Sequence, residues 1–211
     1  MCGIVGYVGK NDARSIIMDG LKKLEYRGYD SAGIALVRNG GIDIRKKVGE
    51  IANLEELLKQ EMARGICFDS HTGIGHTRWA THGAPSDVNA HPHASEDGTV
   101  AIVHNGIIEN FVELKQRLIA EYNVKFKSET DSEVIAHLIA LHMRNHPKLE
   151  DAVYAATLEM RGAYAFAAVS SRDPDKIVAV RKDAPLIAGI GKGENFIASD
   201  IPALMKHCKE I

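Results

Sequence analysis

Cys2 carries a thiol one residue after the initiator methionine. Its side chain is small enough for Met1 to be removed, and removal would leave Cys2 with a free α-amine. An α-amine has a reference pKa of ~7.7–8.0 and a thiol one of ~8.5, so a proton passes between them at little cost. An N-terminal amine that activates its own side chain is a recognised nucleophile. Taken alone, the residue still favours a plainer interpretation, a small buried side chain at the start of a strand.

A second group of polar side chains lies in residues 67–98, a stretch rich in Gly, His, Thr and Pro. It has no helical stripe of apolar residues, so it is predicted to be a long irregular loop, which in a compact domain is usually functional or disordered. His71, His91 and His93 fall in this stretch. No Cys or carboxylate stands at a spacing typical of zinc sites, so neither a metal nor a cofactor is predicted.

Seven sequence blocks follow one another along the chain. They are CGIVG at 2–6, LEYRGYDSAG at 24–33, HTRWATHG at 76–83, NAHPH at 89–93, VHNGIIEN at 103–110, SETDSE at 128–133 and GENFIASD at 193–200. In these blocks and their order the chain resembles the class II glutamine amidotransferases, which are N-terminal-nucleophile hydrolases. The resemblance covers essentially the whole chain and implies one glutaminase domain over residues 1–211.

The resemblance implies a catalytic group. The Cys2 thiolate would attack the side-chain amide of glutamine, with the Cys2 amine as base, either directly or through a water. Asn105 and Gly106 would hold the oxyanion through a side-chain amide and a backbone N–H, and Gly lets the backbone approach a substrate closely. On sequence alone, however, Asn-Gly after a strand is simply a turn.

The resemblance also implies residues that bind glutamine. Arg78 would clamp the α-carboxylate, since a planar guanidinium donates two parallel hydrogen bonds. Asp131 would hold the α-ammonium, although an Asp in the first turn of a helix also stabilises the helix dipole. Trp79, Thr81 and His82 would lie on a lid over the substrate.

For three positions the sequence leaves the role open. Trp79 is the only Trp and fits a core anchor as well as a lid residue. Arg27 and His91 resemble family positions near the pocket, with no chemical step assigned to either. Both are therefore carried as supporting residues.

Hydrophobic periodicity predicts the elements that position these residues. Strands are predicted at 2–8, 32–37, 42–48, 99–104, 164–169, 176–180, 186–190 and 195–198, and helices at 13–24, 54–62, 110–122, 131–145 and 149–160. Asp12, Asn53 and a capping box at 130–133 are predicted to begin three of the helices. Hairpins dominate over βαβ alternation, so the fold class is α+β. The family resemblance implies a four-layer α/β/β/α sandwich.

Length, net charge and cysteine count indicate which classes of partner this chain can have. A length of 211 residues fits one domain, and a net charge of −2 offers no basic patch for nucleic acid. Three cysteines do not form a disulfide framework, which favours the cytoplasm. The N-terminal residues do not predict a secretory signal, and no apolar run reaches the ~18 residues of a membrane span. A small molecule or a protein is the expected partner.

Tyr26, Tyr29 and GEN at 193–195 resemble one branch of the family most closely. In that branch a sugar-phosphate isomerase part follows the glutaminase domain, the protein is a homodimer, and the ammonia passes to fructose 6-phosphate. That part is not in this sequence, so the chain is expected to be a piece of a longer protein. The alternatives are a glutaminase domain with a phosphoribosyl or aspartate acceptor, and a non-catalytic regulatory domain with the same fold.

Overall fold

The computed structural model describes residues 2–79 and 84–208. Within them the chain forms ten β-strands and five α-helices. In chain order these are β1 Gly3–Val8, α1 Ala13–Lys23, β2 Ser31–Arg38, β3 Gly41–Val48, α2 Ile51–Ala63, β4 Thr72–Arg78, β5 His93–Ala94, β6 Val100–Ile108, α3 Phe111–Tyr122, α4 Glu133–His142, α5 Leu149–Glu159, β7 Gly162–Ser170, β8 Asp173–Lys182, β9 Ile187–Gly191 and β10 Glu194–Ala198.

The strands form two antiparallel sheets. The first has the order β3-β2-β4-β1-β10-β9, and the second has the order β5-β6-β7-β8. In the first sheet β1 lies between β4 and β10, with Gly3 opposite Thr77 of β4. Cys2, which precedes β1, is thereby brought next to Arg78 at the end of β4.

Strand alternation builds the layers, because successive side chains of a strand point to opposite faces. On β7, Tyr164, Phe166 and Ala168 face α4 and α5. The intervening residues of β7 face the other sheet, where they pack with residues such as Ile4 and Ile74. A third apolar cluster joins the outer face of the first sheet to α1 and α2. The result is the predicted helix, sheet, sheet, helix sandwich, and the α+β fold class is confirmed.

The prediction of an irregular loop over residues 67–98 is wrong for residues 72–78. Residues Thr72–Arg78 form β4, a central strand between β2 and β1. On the face covered by α1 this strand carries Gly73 and Gly75, where an added Cβ would clash with Ile17. The close approach of the helix requires glycine, so the alternation of apolar side chains that normally reveals a strand is missing.

Helix caps were predicted with mixed success. Asp12 caps α1 by accepting from the Arg14 N–H at 3.1 Å, as predicted. Asn53 does not cap α2, because the helix begins at Ile51 and the Asn53 amide donates to the Val48 carbonyl. The capping box at 130–133 is also wrong, since Glu133 reaches back past Thr130 to an earlier segment of the chain.

Glu133 is 2 % exposed and organises the segment before α4. It accepts hydrogen bonds from the Lys127 N–H at 2.9 Å, the Ser128 N–H at 2.6 Å and the Ser128 hydroxyl at 2.7 Å. Burial alone would raise the pKa of Glu133, but the bonds from His137, Ser128 and Lys127 outweigh it and lower the pKa to about 2. The ionised carboxylate therefore stabilises the fold.

We expect Glu133→Gln to lower the free energy of unfolding by about 1.5–3 kcal/mol at pH 7, because it removes charge-assisted hydrogen bonds. The folded pKa of Glu133 lies below the unfolded value of ~4.3, so this stabilisation is complete above about pH 5 and is lost as the pH falls towards 2. Urea titrations of both proteins between pH 3 and pH 7 measure the difference. Glu121→Gln, at an exposed position, is the matched control. A loss for Glu133→Gln that does not shrink in acid would contradict the assignment.

None of the helices in the two described ranges is long and apolar enough to cross a membrane. Among the same residues, no cluster of three or more His, Cys, Asp or Glu side chains is arranged to hold a metal ion.

Candidate active site

Most of the predicted site residues line one cleft of about 560 Å³ at an end of the sandwich. The predicted residues found there are Cys2, Arg27, Arg78, Trp79, His91, Asn105, Gly106 and Asp131. Residues far apart in the sequence meet because β1, β4 and β6 lead to the same end of the two sheets. Met1, Thr81 and His82 lie outside the described residues, so their predicted roles stay predictions.

The thiol of Cys2 is half-buried and faces the end of β4. The backbone N–H of Trp79 donates to Cys2 Sγ at 3.2 Å, and the thiol lies 3.5 Å from the Trp79 carbonyl oxygen. Burial raises the pKa of the Cys2 thiol, although the hydrogen bond from Trp79 acts against it. A thiol in this environment needs a base to become a nucleophile at neutral pH.

Asn105 and Gly106 do not form a turn. Strand β6 runs through both residues to Ile108 and stays paired with β7. Gly106 has a φ of 122°, and an added Cβ would clash with the Ala163 carbonyl of β7. Glycine is therefore required here by the close approach of β6 and β7.

The side chain of Asn105 connects β6 to the start of the chain. Its Nδ2 donates to the Cys2 carbonyl oxygen at 3.2 Å. Its Oδ1 lies 2.9 Å from His76 Nε2 on β4. An amide donor is thus directed at the residue that carries the thiol.

Arg78 and Asp131 supply opposite charges to the cleft. Arg78 is only 5 % exposed, so it is not an ordinary surface arginine. Asp131 precedes α4, and its Oδ2 accepts from the Ile108 N–H at 2.7 Å. That bond ties the carboxylate to the end of β6 and aims it at the cleft, while the position also suits the helix N-terminus.

This constellation can be compared with known proteins. A family model described as a glutamine amidotransferase domain matches residues 61–211. The chain belongs to this family. The resemblance to class II glutamine amidotransferases is therefore confirmed, and the chain is an enzyme domain of that class.

Curated relatives cover the whole of this amidotransferase domain, including Cys2. It is 54 % identical over 211 residues to the glutamine–fructose-6-phosphate aminotransferase [isomerizing] of Clostridium tetani, covering 100 % of this chain and 33 % of that protein. It is 52 % identical to the enzyme of the same name from Aquifex aeolicus, covering 100 % of this chain and 34 % of that protein. The domain thus spans about a third of the length of these relatives.

Among solved structures, the domain is similar to glutamine phosphoribosylpyrophosphate amidotransferase from B. subtilis complexed with ADP and GMP. The TM-score is 0.80 at 28 % identity, over 97 % of this chain and 43 % of that one. This similarity supports the N-terminal-nucleophile type of sandwich described above.

Trp79 of the amidotransferase domain is 53 % exposed, so the core-anchor interpretation is wrong. Its ring packs against Gly28, which has a φ of 99° and where an added Cβ would clash with the indole. The sequence analysis did not single out Gly28. Its place between Arg27 and Tyr29 in the family block at 24–33 could have indicated that it belongs to the site.

Arg27 has a side chain that is 6 % exposed and pairs with Asp200 through an Nη1–Oδ2 distance of 2.8 Å. The Tyr26 hydroxyl donates to the same carboxylate oxygen at 2.5 Å. The pair fastens the segment after β10 to the side of the cleft. Arg27 thus lines the cleft while its guanidinium is held by Asp200.

Four buried histidines, His76, His91, His93 and His104, cluster at the cleft, and two of them, His91 and His104, line it. The His91 ring centroid is 4.2 Å from that of His76 and 4.6 Å from that of His93. Burial lowers the pKa of His76 to about 3 and that of His104 to about 4, so these rings are neutral at pH 7. His104 Nδ1 contacts the Ser132 hydroxyl at 2.8 Å, beside Asp131. Sequence reasoning did not assign roles to His76, His104 or Ser132, although each falls inside a family block.

Proposed function

We propose that the chain hydrolyses glutamine to glutamate and ammonia through a γ-glutamyl thioester on Cys2, formed once Met1 has been removed. The observation that carries the proposal is the convergence on one cleft of the Cys2 thiol, the Asn105 amide and the opposite charges of Arg78 and Asp131. A glutamine molecule needs these groups: a nucleophile and an oxyanion donor at its carboxamide, and a cation and an anion at its α-carbon.

Acylation begins when the Cys2 α-amine takes the thiol proton, directly or through a water, and the thiolate attacks the carboxamide carbon. The oxyanion then accepts hydrogen bonds from Asn105 Nδ2, which in the free enzyme donates to the Cys2 carbonyl at 3.2 Å, and from the Gly106 N–H. As the C–N bond breaks, the ammonium group of Cys2 returns the proton to the leaving ammonia. This leaves a thioester and a neutral amine.

Deacylation uses the same groups in the reverse order. The α-amine takes a proton from a water molecule, which attacks the thioester carbon. The second oxyanion is held by the same two donors, and the C–S bond breaks to release glutamate. The thiolate recovers its proton from the α-ammonium, so the enzyme is unchanged at the end of the cycle.

Substrate selection follows from the two charged residues. Arg78 binds the α-carboxylate with a planar pair of donors, and Asp131 binds the α-ammonium. Trp79, whose exposed ring lines the cleft, covers bound glutamine and excludes water. The family resemblance implies the same role for Thr81 and His82. His91 and Arg27 support this pocket without contacting the reacting atoms.

The domain over residues 1–211 acts in a longer, homodimeric protein that passes the ammonia to fructose 6-phosphate on an isomerase domain. This proposal is supported by the activity for which the relatives are named and by the third of their length that this chain spans. Identity of 54 % to an aminotransferase of that name, against 28 % to the phosphoribosyl enzyme, favours the sugar acceptor. Cys2, Cys67 and Cys208 are all free thiols, which supports a reducing compartment, the cytoplasm.

The direct test is a glutaminase assay on chain whose N-terminus is verified by mass spectrometry. Chain beginning at Cys2 should release glutamate and ammonia in equal amounts, and chain retaining Met1 should release neither, because an acylated nitrogen is no base. Absence of hydrolysis by the Cys2-terminated chain would refute the proposal. Fructose 6-phosphate consumption by the longer protein tests the acceptor.

We expect Arg78→Lys to raise the KM for glutamine by about 10–100-fold with a smaller change in kcat, because an ammonium cannot make the bidentate contact. Steady-state kinetics measure this. The contrast is an amide lacking the α-carboxylate, 4-aminobutanamide, whose kcat/KM should be equal for Arg78→Lys and the parent chain. Arg172→Lys, at an exposed position, controls for the substitution itself. An unchanged KM for glutamine would remove Arg78 from the binding site.

A further inference from the structure

His76 lies on β4 with its ring buried behind Asn105. Its Nε2 is 2.9 Å from Asn105 Oδ1 and 3.0 Å from the His104 carbonyl oxygen. A carbonyl oxygen has no proton to donate, so the contact with His104 requires the proton of His76 to be on Nε2. That N–H consequently donates to the side-chain oxygen of Asn105 as well.

The other end of the Asn105 amide faces Cys2. Nδ2 donates to the Cys2 carbonyl oxygen at 3.2 Å, and that oxygen also can only accept. The two ends of an amide have nearly the same shape, so only the hydrogen-bond network decides which way it points. The His104 carbonyl places the His76 proton on Nε2, so the Asn105 oxygen faces His76. The Cys2 carbonyl needs a donor, so the Asn105 nitrogen faces Cys2.

The protonation state of His76 supports this orientation of the Asn105 amide. Burial lowers the pKa of His76 to about 3, so the ring carries a single N–H at neutral pH. Its Nδ1 has no hydrogen-bond partner among the described residues, which agrees with an unprotonated nitrogen there. The ring also packs against His91, with the centroids 4.2 Å apart and the planes tilted by 35°. A flip of the His76 ring would leave the Asn105 and His104 oxygens without their donor.

We propose that His76 is a positioning residue that fixes the amide orientation of Asn105, so that a donor and not an acceptor faces the oxyanion formed at Cys2. An inverted amide would direct its oxygen at the developing negative charge and repel it. His76 is not among the described residues that line the cleft, so it acts through Asn105. The inference rests on the proposed glutaminase function.

The test is a double-mutant cycle on chain that begins at Cys2. His76→Leu should lower kcat about 10–100-fold, less than the roughly 100–1,000-fold expected for complete loss of an oxyanion donor, with KM changed less than about threefold. In an Asn105→Ala background the same substitution should cost less than about twofold, because the group through which His76 acts is gone. Ammonia release measures both rates.

Two polar variants keep the test decisive if His76→Leu does not fold. The side-chain amide introduced by His76→Gln reaches the place of Nε2, whereas the shorter amide introduced by His76→Asn does not. His76→Gln should therefore exceed His76→Asn in kcat by at least about fivefold, at similar melting temperatures. Equal kcat values for His76→Gln and His76→Asn would overturn the role of His76. So would a fall in kcat of about 10–100-fold when His76→Leu is added to Asn105→Ala. A parent chain that releases no ammonia would refute the proposed function instead.

Discussion

Cys2→Ala should reduce glutaminase turnover by more than about 1,000-fold, to the limit of detection, because no other group can form the thioester. Glutamine binding should survive, since Arg78 and Asp131 remain on opposite elements of the cleft. Calorimetric titration of the inactive variant with glutamine measures the binding, and ammonia release measures the turnover. Loss of rate without loss of binding identifies a residue that acts in the chemical step.

Two control variants sharpen this expectation. Cys67→Ala removes an exposed thiol and should leave kcat unchanged, as Cys67 lies outside the cleft. Cys2→Ser keeps the N-terminal amine but replaces the thiol with a hydroxyl of much higher pKa, so it should also be nearly inactive. Turnover by Cys2→Ala within tenfold of the parent chain would mean that the reaction does not pass through Cys2.

The second large effect is expected at Asn105. Asn105→Ala removes one oxyanion donor and should lower kcat by about 100–1,000-fold with a small effect on KM. Asn105→Asp should be slower still, because its carboxylate has the same shape but repels the oxyanion. The carboxylate can still accept the hydrogen bond from His76, so this variant preserves the contact at 2.9 Å that supports the fold.

Thermal melts show whether the Asn105 variants fold alike. Glutamine bound to the Cys2→Ala variant forms no oxyanion, so its affinity should change little when Asn105→Ala is added to that variant. A fall in glutamine affinity that matches the fall in kcat would assign Asn105 to ground-state binding and not to the transition state.

Much of the fold was predictable where local patterns agree with the tertiary structure. Strands were predicted at 32–37 and 42–48, and they pair as the hairpin of β2 and β3, in whose turn Asn39 and Gly40 adopt positive φ. Strand β4 was missed because its glycines are required by the close packing of α1, a helix that is distant in sequence. The turn interpretation of Asn105 and Gly106 was wrong for a related reason, since glycine is required at 106 by the close approach of β7.

The candidate site was predictable only in part. The position of Cys2 made a nucleophile chemically feasible but alone favoured a buried side chain, and the family blocks suggested Cys2, Arg78, Asn105 and Asp131 as site residues. Their convergence depends on strand pairing, which no local pattern contains. The role of His76 depends on which ring nitrogen meets two oxygens, a fact that exists only in the assembled structure.

Covalent labelling tests the central claim most directly. A glutamine-like diazo ketone should add one equivalent to chain beginning at Cys2, and peptide mass spectrometry should place the adduct on Cys2, with excess glutamine protecting it. Chain that retains Met1 should not be labelled. An adduct on Cys67 or Cys208, or labelling that glutamine does not slow, would contradict the assignment of the nucleophile.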